Sequence, residues 1–136
     1  MNMEKRLFAV RGAVCCQNTG GSIQEEVTLL YRTILEKNAM DEADIVSVQF
    51  TMTGDLDARN PASALRRGGY AADLPLFVSV EPPVQGALAR TIRILITFYG
   101  TRKPDAVYLH GAEVLRPDLA AGTGSAGKRE QGGASC

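Results

Sequence analysis

The sequence predicts an α+β fold, a sheet of about five strands with one long helix and short helices. Three observations carry this. The runs RLFAVRGAV (6–14), IVSVQFTMT (45–53), PLFVSVE (75–81) and TIRILITFY (91–99) are short and rich in branched and aromatic residues, as strands are. Only one stretch, from Ser22 to Asn38, repeats apolar residues at helical spacing over several turns. Clusters of Gly, Pro, Asn and Asp separate all of these runs.

In chain order, the strand 6–14 is followed by the turn-like CQNTGG. Ser22 with Glu25 three residues on has the form of a capping box, and Ile23, Val27, Leu30 and Ile34 then mark one helical face. DEAD (41–44) predicts a short helical turn before the second strand, and GDLDARNP predicts a loop. ASALRR (62–67) reads as a short helix stopped by Gly68 and Gly69, and Pro82 and Pro83 end the strand 75–81. The loop GTRKPD follows the strand 91–99, and AVYLHGAEVL (106–115) reads as two short strands around Gly111. One long helix cannot cover both faces of such a sheet. The uncovered face is therefore expected to pack on other copies of the chain.

A length of 136 residues suits one domain, placed at 1–119. The Gly-, Ala- and Ser-rich segment 120–136 has no apolar periodicity and predicts a disordered tail. Lys plus Arg and Asp plus Glu both number 15, so no overall field draws the chain to nucleic acid or an anionic membrane. No run reaches transmembrane length. Arg11 interrupts the N-terminal apolar run too early for a signal peptide, and three cysteines without framework or zinc spacing suit a reducing cytoplasm.

Two leads fail on their context. GTGSAGKR (122–129) follows the phosphate-loop pattern until Arg129 stands where a hydroxyl should ligate Mg²⁺, and neither a strand before it nor a helix after it is predicted. His110, the single histidine, sits beside Gly111 with no Cys or carboxylate cluster near it in sequence and reads as a surface residue, not as a nucleophile's base or a metal ligand. Cys15 and Cys16 read as small apolar fillers at a strand end.

Three charges stand out. Arg11, Glu81 and Arg93 each lie within or close a different apolar run. Removing such charges from water costs several kcal/mol per ion unless partners compensate them. An internal pair, or a sheet face open to solvent, would satisfy any one of the three. Taken together, two arginines against one glutamate leave positive charge for a small anion. Guanidinium forks suit carboxylates, and Tyr108 offers a further donor. The pattern predicts a pocket for a carboxylate-bearing molecule.

LFAVRGAV, TGDLDARNPASALRR, VEPPVQGALARTIR and VYLHGAEVLRPDL occur in the order and approximate spacing of the monofunctional AroH-type chorismate mutases. The chain resembles that family from about Leu7 to Leu119, and the last segment is the most specific. The resemblance implies a homotrimer with a mixed sheet in each subunit, a pseudo-α/β-barrel assembly, and active sites at subunit interfaces. It implies conversion of chorismate to prephenate, a Claisen rearrangement needing no cofactor, metal or proton shuttle. By the family's motifs, Arg93 would donate to the ether oxygen, Arg11 and Tyr108 would hold carboxylates, and Glu81 would accept from the ring hydroxyl. Arg66 would sit near the pocket mouth, and Asn60, Val78, Leu115 and Arg116 would complete substrate binding.

Several positions depart from the family pattern. Gly54 replaces a proline, Asn60 an aromatic residue, Ser63 a basic or apolar residue, and Val78 a small or thiol-bearing one. Two other readings compete with the mutase: a RidA-like imine deaminase, which also uses an interfacial arginine, and a non-catalytic trimer that binds a chorismate-like dianion.

Overall fold

The computed structural model describes residues 4–120. Five strands form one mixed sheet: β1 (Arg6–Cys15), β2 (Ile45–Met52), β3 (Leu76–Val80), β4 (Thr91–Gly100) and β5 (Val107–Leu109), in the spatial order β3-β2-β4-β1-β5. β4 runs antiparallel to both β1 and β2, whereas β2 with β3 and β1 with β5 are parallel. The helices are α1 (Gly20–Lys37), α2 (Pro61–Arg67) and the short α3 (Pro117–Ala120).

Alternation along the strands sorts side chains onto two faces. Val10 and Val14 of β1, Val48 and Phe50 of β2, and Ile92, Ile94, Ile96 and Phe98 of β4 are buried against Ile23, Val27, Leu30, Tyr31 and Ile34 of α1. Ala64 and Leu65 of α2 join the same core, so both helices cover one face. The opposite face keeps Leu7, Arg11, Gln49, Phe77, Arg93 and Tyr99 exposed. Only part of it is covered, where Ala112 and Leu88 bury Ala13 and Cys15.

A bulge in β2 decides which residues reach that open face. The register with β4 shifts between Ile45, opposite Phe98, and Ser47, opposite Thr97. The extra residue, Val46, changes the parity of the strand. Ser47, Gln49 and Thr51 consequently lie on the open side.

Two local expectations are corrected. The start of α1 is not a Ser22–Glu25 capping box: the Thr19 hydroxyl accepts the Ser22 N–H at 3.1 Å, so the helix begins at Gly20, and Ser22 Oγ instead accepts the Gln17 N–H at 2.9 Å. The segment after Gly111 is not a second short strand. His110 (φ 48°) and Gly111 (φ 102°) are both left-handed and turn the chain out of the sheet, and Ala112–Leu115 winds as a 3-10 turn.

Asn60, expected at the substrate pocket, caps α2 by accepting the N–H groups of Ala62 and Ser63 at 2.8 and 3.3 Å. Asn60→Ala should lower stability by about 1 kcal/mol, measured as a shift in the urea midpoint, because α2 loses its N-cap acceptor. Tyr31 is fully buried, and its phenol donates to Glu42 at 2.6 Å while the same carboxylate oxygen accepts the Ala71 N–H at 2.8 Å. Burial and this bond push the Tyr31 pKa well above its ordinary value. The expected phosphate-loop look-alike at 122–129 and all of the expected tail except Ala120 lie outside the described residues.

Candidate active site

Sheet register alone assembles a row of side chains. Tyr108 of β5 lies opposite Ala13 of β1, Ala13 opposite Arg93 of β4, Arg93 opposite Thr51 of β2, and Thr51 opposite Ser79 of β3. The adjacent row runs Arg11, Leu95, Gln49, Phe77. Arg11 and Arg93 are diagonal neighbours across β1 and β4, a spacing of about 7–8 Å for such positions. Both rows belong to the open face.

Glu81 lies just past β3. Its N–H donates to Met52 O at 2.8 Å, which extends the β2–β3 pairing by one rung and keeps the residue in phase with Ser79. Its carboxylate then reaches inward, where Oε2 accepts Arg93 Nε at 2.8 Å and Thr51 Oγ1 at 2.6 Å. The Glu81 side chain is only 15% exposed against 45% for Arg93. The acid is thus held within the sheet edge while the guanidinium tip stays accessible.

A cavity of about 560 Å³ lies over these rows, a size suited to a small organic molecule. Arg11, Arg93, Tyr108 and Arg116 supply its polar groups with Gln49, Thr51 and Ser79, and Phe77 and Leu115 part of its apolar wall; Val78, expected at this wall, borders the cavity from β3 but is packed against the helix-side core opposite Phe50. Arg93 is paired with Glu81. Arg116 donates from Nε and Nη2 to Asp118 at 3.2 and 2.9 Å; that carboxylate, and to a lesser extent Tyr108, raises the Arg116 pKa. Arg11 has no ion pair among the described residues. The cavity therefore carries uncompensated positive charge on its β1 side.

The other expected residues sit elsewhere in the subunit. Arg66 is exposed at the end of α2, where its guanidinium donates to the carbonyls of Ala71 and Leu74 at 3.3 and 2.8 Å. Neither it nor Asn60 lines this cavity, and Glu81 is not a lining residue either, meeting the cavity through its bonds to Arg93 and Thr51. His110 has a carboxylate neighbour that the sequence did not indicate: its Nδ1 lies 2.6 Å from Glu26 Oε1, a residue 84 positions away. Cys15 and Cys16 are both buried at the end of β1, and burial, followed by Glu26, raises the Cys16 thiol to about 11. Among the described residues no group of three or more His, Cys, Asp or Glu is placed to hold a metal.

Thr51, Gln49 and Phe77 were not among the sequence-based site residues. Alternation in IVSVQFTMT puts Gln49 and Thr51 on one side of a strand, but their position opposite Leu95 and Arg93 follows from the β2–β4 register.

Residues 7–119 match the family model for chorismate mutase type I. The chain belongs to that family. Among curated relatives, chorismate mutase AroH of Thermus thermophilus is 36% identical over 115 residues, covering 81% of this chain and 93% of the relative. Chorismate mutase AroH of Bacillus subtilis is 32% identical over 114 residues, covering 81% and 90%. A solved chorismate mutase from Clostridium thermocellum superposes with a TM-score of 0.75 at 37% identity, covering 79% of this chain and 98% of that one. The mixed sheet and its helix-covered face are thus a chorismate mutase fold.

Proposed function

We propose that this chorismate mutase family member converts chorismate to prephenate on the open sheet face, at an interface between copies of the chain. The observation that carries the reading is that Arg11 and Arg93, on neighbouring strands, open onto one cavity with Tyr108. Chorismate is a dianion with an ether bridge and a ring hydroxyl. In its rearrangement one C–O bond breaks, one C–C bond forms, and no proton moves. The protein has to fold the substrate into a compact geometry and stabilise negative charge growing on the ether oxygen.

Arg11, free of other ion pairs among the described residues, is the carboxylate grip. Tyr108 donates a second hydrogen bond to a carboxylate, and Arg116 closes that end of the cavity beside Leu115. Arg93 spends Nε on Glu81, which leaves both Nη groups for the ether oxygen. Glu81 accepts from the ring hydroxyl and orients the ring. Phe77 forms part of the wall. This domain is residues 1–119, with 120–136 as a tail outside it.

A homotrimer belongs to the same reading. It is supported by the exposed apolar residues Leu7, Phe77, Val80 and Tyr99 on the open face and the β3 edge. Asn60 and Arg66, remote from the cavity within one chain, would reach such a site only from a neighbouring copy. A cytoplasmic location completes it; among the described residues no helix is long and apolar enough to cross a membrane.

The test is chorismate disappearance with purified protein and no added cofactor, followed by absorbance, beside light scattering for the oligomeric state. Prephenate should accumulate from a trimer. Chorismate bound without turnover would instead support a binding module, and accelerated 2-iminoacid hydrolysis would support a deaminase.

A further inference from the structure

Among the described residues, donors reach one oxygen of the Glu81 carboxylate. Thr51 Oγ1 and Arg93 Nε both donate to Oε2, at 2.6 and 2.8 Å. No hydrogen bond to Oε1 occurs among the described residues. The backbone of Glu81 is fixed by its bond to Met52, so the remaining freedom is rotation of the side chain and its carboxylate. A single donor on one oxygen leaves that rotation open. Two donors converging from different strands close it.

We propose that Thr51 is a positioning residue for the rearrangement: with Arg93 it pins Oε2 of Glu81, reserving Oε1 for the ring hydroxyl of the substrate and the Arg93 Nη groups for the ether oxygen. This rests on the chorismate mutase reading of the site. A carboxylate released by Thr51 can swing into a two-pronged pairing with the guanidinium, the geometry that arginine and carboxylate favour. That pairing engages an Nη group needed at the ether oxygen and turns Oε1 away from the ring. Thr51 suits the task because its branched side chain has restricted rotamers on a strand, and because the bulge at Val46 sets it directly opposite Arg93.

The experiment compares Thr51→Val, which keeps the shape and removes the hydroxyl, with Thr51→Ser, which keeps the hydroxyl. Thr51→Ala serves as a second hydroxyl-free variant should valine fold poorly. Each is measured for kcat, KM and Tm with chorismate, alone and combined with Glu81→Gln. Thr51→Val should lose about tenfold or more in kcat, the range of a hydrogen bond to a charged group, with a smaller change in KM and a Tm that stays well above the assay temperature. Thr51→Ser should stay near the parent, and the loss should shrink in the Glu81→Gln background, where there is no carboxylate left to orient.

Parent-like turnover of Thr51→Val or Thr51→Ala overturns the proposal while leaving the mutase reading intact. So does an equal loss with and without Glu81, or a loss that follows the unfolded fraction. An inert parent protein removes the mutase reading, and this inference with it.

Discussion

Arg93→Ala should lower kcat for chorismate by about 10²–10³-fold, a loss of about 3–4 kcal/mol of transition-state stabilisation comparable to deleting an oxyanion-hole donor. The effect is larger than a surface ion pair would give, because the Arg93–Glu81 pair is itself a minor contribution to stability with Arg93 45% exposed. On the proposed reading, what disappears is a donor facing charge that develops only as the C–O bond breaks, so kcat should fall more than KM rises. Arg93→Lys should also be poor. Lysine keeps the charge, but one ammonium on a flexible stem cannot hold Glu81 and also present a planar pair of donors to the substrate. Initial rates from chorismate absorbance, with circular dichroism to verify folding, check both variants. Near-normal turnover of Arg93→Lys would show that the fork is not used.

Gly12→Ala should be the most damaging single-methyl change among the site strands. A Cβ at Gly12 would lie 2.8 Å from Val107 O, 2.9 Å from Ile34 Cδ1 and 3.2 Å from Leu30 Cδ1. Ile34 could change rotamer, but the carbonyl belongs to β5, the parallel partner of this part of β1. Relief therefore requires β5 to move. Overpacking of this kind costs typically about 1–3 kcal/mol, enough to lower Tm by roughly 10 °C in a domain of this size. Tyr108 lies opposite Ala13 in the same pairing, so activity should fall below what the remaining folded fraction accounts for. Thermal melts paired with rates at low temperature, where the variant is folded, separate the two losses. A parent-like Tm would mean that β1 and β5 have more room than the structure gives them.

Strand positions and the long helix were legible because each is a local pattern. TIRILITFY alternates cleanly, and Ile23, Val27, Leu30 and Ile34 mark a helical face whatever the rest of the chain does. Helix starts were less legible, since Thr19 and Ser22 are both good caps and the choice depends on Gln17 taking the Ser22 hydroxyl. The segment after β5 was misread because Ala112–Leu115 is apolar enough for a strand, while two consecutive left-handed residues decide its direction. For the candidate site, residue chemistry and the family motifs singled out Arg11, Glu81, Arg93 and Tyr108. They did not reveal Thr51, whose place opposite Arg93 depends on a bulge in one strand and on the pairing of two segments about 40 positions apart.

The pairing of β1 with β4 also bears on how the chain matures. Among the described residues, Arg6–Cys15 pairs antiparallel with Thr91–Gly100 and parallel with Val107–Leu109. During synthesis this strand must wait, apolar and unpaired, until Thr91–Gly100 has left the ribosome. Such distant pairings are slow to form and leave a nascent segment open to capture by chaperones or by other chains. That strand is thus among the last to be seated, and the open face that joins Arg11 to Arg93 comes into being at that closing step.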